Sequence, residues 1–302
     1  MSKITAILPV RNGAWCIGIT VRALLLFCDE VVVFNHASTD QTLDILHEIQ
    51  GEDKRLVYFS GTDPVWREMA HRQRLLESAR ERKATHIVTI DDDEVLTGTL
   101  LSQIRDLILN IPSGHVMQLP WLQLRGGINR YISTGMWASN RASMAFPDDP
   151  RLCWQTQTGG YDHHHRHPMG LTHKPYFQSK NGLMHCQMAS RRRLAAKQFW
   201  YLLTERLRWP TRKTAAELNA IYGPTVHTDG AKDAPVPAEW WHGYEHLMQY
   251  LDLDAEPWQE QECFRIIREN PGIEKGLDHF GVLNSAHEAV APEPVPPSTA
   301  SR

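Results

Sequence analysis

The chain is expected to be an α/β protein built on a doubly wound, mostly parallel sheet with helices on both faces and a helical C-terminal extension. Two observations carry this. Four apolar, β-branched runs alternate with segments of helical period through residue 91, and a βαβαβαβ alternation predicts a parallel sheet. The runs are apolar almost throughout, as in strands buried on both faces.

The first run is ITAILPV at 4–10, followed by a helical segment from Trp15 to Phe27. EVVVFN at 30–35 leads into a helix from Ser38 to Ile49, with Ser38 as a candidate N-cap. RLVYFS at 55–60 precedes a helix from Val65 to Arg82, and HIVTID at 86–91 is the fourth strand. Three of these strands end in polar or special residues: Pro9 to Asn12, Asn35 to Ser38, and the quartet Asp91, Asp92, Asp93 and Glu94. Ligands of open α/β sheets bind beyond the carboxyl ends of the strands, so these ends share the functional rim. From about 114 the pattern changes to strand-like HVMQLPWLQL and LMHCQ among Gly-, Pro- and His-rich loops, which predicts a second substrate pocket. Helices are expected at 190–208, 212–221, 238–251 and 257–269, and the terminal APEPVPPSTASR cannot build a core. The expected domains are 1–210 (halves 1–110 and 111–210), a helical extension at 211–285 and a disordered tail at 286–302.

The 302 residues suffice for one large α/β domain with an extension. A net charge of −3 gives no global indication of nucleic acid. Five scattered cysteines without CxxC pairing point to a reducing, cytoplasmic compartment. The first apolar run is broken by Pro9 and Arg11, too early for a signal peptide or membrane span.

The quartet poses the main chemical question, because adjacent carboxylates repel one another. Solvation in an exposed loop relieves that, and so does a divalent cation shared with a diphosphate, which needs one or two protein carboxylates. In their order, P-x-R-N after the first strand, N-x-x-S-T-D-x-T after the second and D-D-D-E after the fourth resemble the nucleotide-sugar half of family 2 glycosyltransferases, which have the GT-A fold. Arg72-Gln73 with Leu76 and Ala79 is similar to the family's R-N-x-G-L-x-x-A helix, and Asp149-Pro150-Arg151-Leu152 to its acidic residue before R-L-F. Gly182 to His185, with Lys197 and Tyr201, is similar to the late histidine and K-x-x-x-Y helix of lipopolysaccharide-core type members. The match spans roughly residues 3–205. Asn35 departs from it, standing where relatives carry an Asp against the nucleotide base. Gln73 and Leu75 also depart from it, standing where Asn and Gly are common.

The resemblance implies a metal-dependent, inverting transfer of a sugar from a nucleoside-diphosphate sugar to a saccharide, lipid-linked or macromolecular acceptor. Pro9, Arg11, Asn35, Arg72, Asp91 and Asp92 would line the donor site, with Asp91 near the ribose and Asp92 a spacer. Asp93 would ligate manganese or magnesium, Glu94 would support the turn, and His185 is open to two readings, a further metal ligand or a buried structural histidine. The general base is sought among Asp148, Asp149 and Asp162. Asp149 is taken first and Asp148 second, because their turn follows strand-like MAF and matches the acidic-then-R-L pattern, although Asp before Pro also opens ordinary turns. The run from Tyr161 to His167 reads as a polar loop beside the acceptor pocket rather than a zinc site, since consecutive histidines point to different faces.

From Arg191 to Lys213, eight basic residues stand against Glu205 alone. This segment is either a solvated face, a counter-charge to the donor diphosphate or a peripheral contact with an anionic membrane. An apolar stripe along it (Ala195, Ala196, Phe199, Leu202, Leu203, Leu207) is expected to pack on the sheet. Other classes stay open: a sugar-phosphate nucleotidyltransferase, a non-catalytic nucleotide-sugar-binding protein, and a haloacid-dehalogenase-like phosphohydrolase, whose first motif Asp91 to Leu96 also resembles.

Overall fold

The computed structural model describes residues 2–154, 166–173, 181–228 and 230–284. Two compact units divide the chain, Met1–Ser190 with Asp229–Ala255, and Arg191–Thr228 with Glu256–Arg302. The division thus falls after residue 190 rather than at 210, and 229–255 return to the first unit instead of forming part of an extension. Asp162, His163 to His165 and the tail from 286 lie outside the described residues.

In the first unit, β1 (Ile4–Val10), β2 (Glu30–His36), β3 (Leu56–Gly61) and β4 (His86–Thr89) pair in parallel in the spatial order β3-β2-β1-β4. Helices α1 (Ile17–Leu25), α2 (Thr42–Glu52) and α3 (Glu68–Glu81) connect them. The sheet continues through β8 (Arg141–Pro147), β6 (His115–Gln123), β10 (Leu183–His185) and β5 (Glu94–Leu96), with β9 (Thr172–His173) on β6. Here it is mixed: β8 runs antiparallel to β4 and β6, while β10 is parallel to β6 and antiparallel to β5. A separate ribbon pairs β7 (Arg130–Ile132) with β11 (Asp233–Pro235).

Helices cover both faces as expected. Side chains alternate along a strand, so Ile4, Ala6, Leu8 and Val10 pack against α1, α2 and α4 (Ile104–Leu109). Ile7, Val32 and Phe34 meet Met69, Leu75, Leu76 and Ala79 of α3 on the other face. Pro9 sets where the sheet opens. Ile7 still accepts a bond from the Ile90 N–H; Pro9, two residues on and pointing the same way, has no N–H to offer. The chain leaves β1 at that level and turns through the acidic quartet into β5.

The helix expected over 238–251 is instead two 3-10 turns, Ala238–Trp241 and Glu245–Tyr250. Gly243 between them has φ +88°, a left-handed conformation that a continuous helix excludes. Trp240, Tyr244 and Leu247 are buried with Trp15 and Ile19. In the second unit α5 (Arg191–Arg208), α6 (Ala215–Val226) and α7 (Trp258–Glu269) form a small helical core. The stripe expected on the sheet is buried against α6 and α7 of its own unit, with Leu203, Leu218, Cys263 and Ile266 at its centre; Leu207 stays exposed. Glu205, the single acid of the basic segment, is buried and bound by the Tyr222 hydroxyl at 2.6 Å and by Lys213.

Candidate active site

Three turns meet at the carboxyl ends of β1, β2 and β4, and the first two are laced together. Asn12 and Ala37 hold left-handed backbone, φ 52° and 48°, a conformation that Asn tolerates but that Ala adopts only where its surroundings impose it. The N–H groups of Asn12, Gly13 and Ala14 donate to Ser38 Oγ (2.9 Å), Thr42 Oγ1 (2.9 Å) and Asp40 Oδ2 (3.0 Å). Asn12 Oδ1 in return accepts from the Thr39 N–H at 2.7 Å. The S-T-D-x-T motif is therefore a fastening between turns. Ser38 does not cap α2, which begins at Thr42; its hydroxyl is spent on a residue 26 positions upstream.

The acidic quartet turns from β4 into β5, and its members face different partners. The Asp92 carbonyl accepts from Thr20 Oγ1 at 2.7 Å and Cys16 Sγ at 3.0 Å. Its carboxylate lies against Gly13, where an added Cβ would come within 2.4 Å of Oδ2. Asp91 accepts from Arg72 Nη2 at 2.8 Å through one oxygen and from Arg166 through the other. Burial alone would raise the Asp91 carboxyl, but Arg166 and Arg72 outweigh it and hold the group below its ordinary range. Arg72 reaches the site from α3, bracing on Glu68 at 2.8 Å and Thr89 at 3.1 Å. Glu94 is wholly buried and accepts from the Asp91 N–H (3.0 Å), Trp121 Nε1 (2.6 Å) and Arg166 (2.6 Å).

Asp93 turns toward β10. Its Oδ1 lies 3.3 Å from His185 Nε2, and both side chains are buried. Gln123 Oε1 lies 2.8 Å from His185 Nδ1, which directs a ring proton to Nδ1 and leaves Nε2 facing the carboxylate. A proton or a cation held between the two groups completes such a contact, and an imidazole fixed from behind is the usual arrangement of a metal-bound histidine. Trp121 stacks on the ring, centroids 4.5 Å apart. Glu94, His185 and Gln123 form one row across β5, β10 and β6. Among the described residues no cluster of three or more His, Cys, Asp or Glu is placed to hold a metal. Two such groups can serve as ligands of a divalent cation only if its remaining ligands come from elsewhere, such as a diphosphate and water.

Arg11 and Asn35 lie beside the laced turns. Arg11 donates to the Pro64 carbonyl, and buried Asn35 donates to Ser60 Oγ at 3.2 Å while accepting from the Ser38 N–H at 3.4 Å. Next to them the His36 and His71 rings lie tilted against each other with centroids 4.5 Å apart, and Trp66 meets both edge-on. Burial, then the nearby Arg11, lowers the His36 pKa, and burial together with His36 pushes His71 down to about 3. The unfolded chain therefore takes up protons near pH 6.5 that the folded pair refuses. Stability is complete above about pH 7 and falls as pH drops through 6.5. For His71 the loss between pH 7 and pH 5 is roughly 1–2 kcal/mol. Denaturant unfolding of His71→Phe should show a flatter dependence over that interval than the wild type; an identical slope would contradict this assignment.

The turn chosen for the general base is elsewhere. β8 runs antiparallel to β4 with Pro147 opposite His86, and the Asp148 N–H donates to Thr85 at 2.9 Å. Asp148 and Asp149 consequently sit at the start of β4, whereas the quartet follows its end. Asp148 forms a two-pronged ion pair with Arg80, and Arg151 lowers the Asp149 pKa far below the ordinary range, leaving a poor proton acceptor. Neither serves as base for chemistry at the quartet. Sequence reasoning missed Arg166, Trp121 and Gln123. Arg166 stood in a histidine-rich loop, and Trp121 and Gln123 read as ordinary members of a strand; no local pattern marks any of them.

Residues 5–122 match the model of glycosyl transferase family 2. No curated protein matches the chain. Among solved structures, S. aureus TarS 1-349 is 14% identical over 95% of this chain and 92% of its own, with a TM-score of 0.41. The same protein in complex with UDP matches at 22% identity, over 44% of this chain and 38% of its own, with a TM-score of 0.33. Glucosyl-3-phosphoglycerate synthase from Mycobacterium tuberculosis, in complex with Mn2+, UDP and phosphoglyceric acid, matches at 19% identity, over 40% of this chain and 43% of its own, with a TM-score of 0.29. These structural scores are low, and the assignment rests on the family match, within which all three motif-bearing strand ends fall: residues 5–122 form a domain of the glycosyl transferase family 2 type.

Proposed function

We propose that the protein transfers a sugar from a nucleoside-diphosphate sugar to an acceptor hydroxyl with inversion, supported by manganese or magnesium. The observation that carries this is the buried Asp93 and His185 pair, 3.3 Å apart at the carboxyl-end rim of the sheet. Bound there, the cation would supply the positive charge against which a diphosphate departs. The chain's own residues do the rest. Laced turns after β1 and β2 form a rigid wall for the nucleotide, Asn35 and Arg11 line it, and Arg72 fixes the direction of Asp91. The phosphohydrolase reading requires Asp91 as a nucleophile, yet both its oxygens are held by guanidinium groups.

The reading is tested by thermal shift with UDP, GDP, CDP and dTDP, with and without manganese, followed by product analysis. One nucleotide should stabilise the protein more with manganese than without. Equal stabilisation throughout would sink the cation-assisted reading.

A saccharide on a lipid carrier is the acceptor class favoured by the second unit, at the cytoplasmic surface of a membrane. No helix among the described residues is long and apolar enough to cross one. Much of the basic segment is committed internally: Arg192 to Glu260, Arg206 to the carbonyls of Ile273 and Lys275, Lys213 to Glu205. Arg208 and Arg212 instead lie over the Trp209 ring, 4.9 and 5.1 Å from its centroid, beside Leu207, which is 44% exposed. Cations, an indole and an exposed leucine together suit an anionic interface. Flotation with anionic liposomes at low salt should carry the protein upward, and replacing Arg208 and Arg212 with Ala should weaken that association roughly tenfold. Wild-type protein that stays with the aqueous fraction at low salt would end the membrane proposal.

A further inference from the structure

We infer that Arg166 is a built-in counter-ion of the acidic turn, which keeps Asp91 and Glu94 from ligating metal so that a divalent cation is taken up only together with the nucleoside diphosphate. This rests on the proposed cation site at Asp93 and His185. The Arg166 side chain is 13% exposed, spans Asp91 and Glu94 with bonds to both carboxylates, and lies over the Trp121 ring at 4.7 Å. Burial alone would favour its neutral form, but Asp91 and Glu94 outweigh that and keep the guanidinium firmly charged. Arg72, 3% exposed, closes the other side of Asp91.

Four adjacent carboxylates would otherwise present a high-charge metal site. The number of charged oxygen ligands sets affinity for such cations. With Asp91 and Glu94 occupied and Asp92 turned against Gly13, the protein offers a divalent cation the Asp93 carboxylate and the His185 imidazole. The fixed positive charge of Arg166 against that turn opposes further uptake. A diphosphate reverses the balance by bringing oxygens and negative charge of its own. Cation and nucleotide then tighten one another by the same factor, since coupling between binding sites is reciprocal.

The test is Mn2+ binding measured by electron paramagnetic resonance and calorimetry, on the wild type without nucleotide and with saturating UDP, GDP, CDP or dTDP in turn. Nucleotide-free binding should be weak, and one nucleotide should tighten it by about tenfold or more. Arg166→Gln should bind nucleotide-free Mn2+ about tenfold more tightly than the wild type, while Arg166→Lys, which keeps the charge, should not. Wild type that binds Mn2+ equally with and without nucleotide, or folded Arg166→Gln with unchanged nucleotide-free affinity, overturns the inference alone. Wild type that takes up no Mn2+ with any nucleotide overturns the cation reading and the inference with it. Should Arg166→Gln not fold, the wild-type comparison decides by itself.

Discussion

Asp93→Asn is expected to remove manganese-dependent stabilisation by the preferred nucleotide and to slow transfer by about three orders of magnitude, the equivalent of the several kcal/mol that a cation contributes at a departing phosphate. The amide keeps the shape of the carboxylate but not its charge, and it coordinates a hard cation weakly. Asp93 acts on Arg166 through its charge, whereas the direct bonds of Arg72 and Arg166 go to Asp91 and Glu94. The melting temperature in the absence of metal should therefore stay close to wild type. Mn2+ titration in the presence of nucleotide, beside a thermal melt without it, separates the two effects. An unaltered manganese response in the variant would remove Asp93 from the site.

Glu94→Gln acts in the opposite way, through the fold before the chemistry. Glu94 is fully buried and accepts from a backbone N–H, an indole N–H and a guanidinium. The neutral amide leaves Arg166 with Asp91 as its remaining charged partner and turns one acceptor into a donor pointed at other donors. Breaking a buried ion pair from one side costs about 3–5 kcal/mol. For a chain of this size that corresponds to a melting temperature lower by roughly 10 °C. Trp121→Phe removes the indole bond to Glu94 and narrows the ring that stacks on His185 and lies under Arg166, and should cost about 1–2 kcal/mol. A Glu94→Gln melt within a degree or so of wild type, measured by calorimetry, would show that the row across β5, β10 and β6 is held by something else.

Much of the first half was legible because its signals are local. An apolar run such as EVVVFN can be satisfied only as a buried strand, and it forms β2 almost to the residue. Asp93 and His185 were legible as candidates through motif order, although their proximity was not. Misreadings arose where a local pattern has two physical outcomes. Ser38 has the chemistry of a helix cap, and the chain uses that same hydroxyl for a turn 26 residues away. Asp149 fits an acidic-then-R-L pattern, but a pattern carries no information on strand direction, and antiparallel β8 delivers it to the wrong end of β4. Gly243 divides an otherwise helical segment through a single positive φ. Arg166 meets its carboxylates across 72 and 75 residues of chain, a range over which neighbouring sequence says nothing.

The separation of these partners along the chain also fixes the order in which the site is finished as the polypeptide leaves the ribosome. The lacing of the first two turns needs only residues 12 to 42. The acidic turn waits for Trp121, Arg166 and His185, the last of them some ninety positions downstream of Asp93. Domains are synthesised N-terminal end first, at about 5–20 residues per second. The nascent chain therefore carries its four carboxylates without the Arg166 counter-charge for several seconds, and the acidic turn is among the last parts of the first unit to reach its final form.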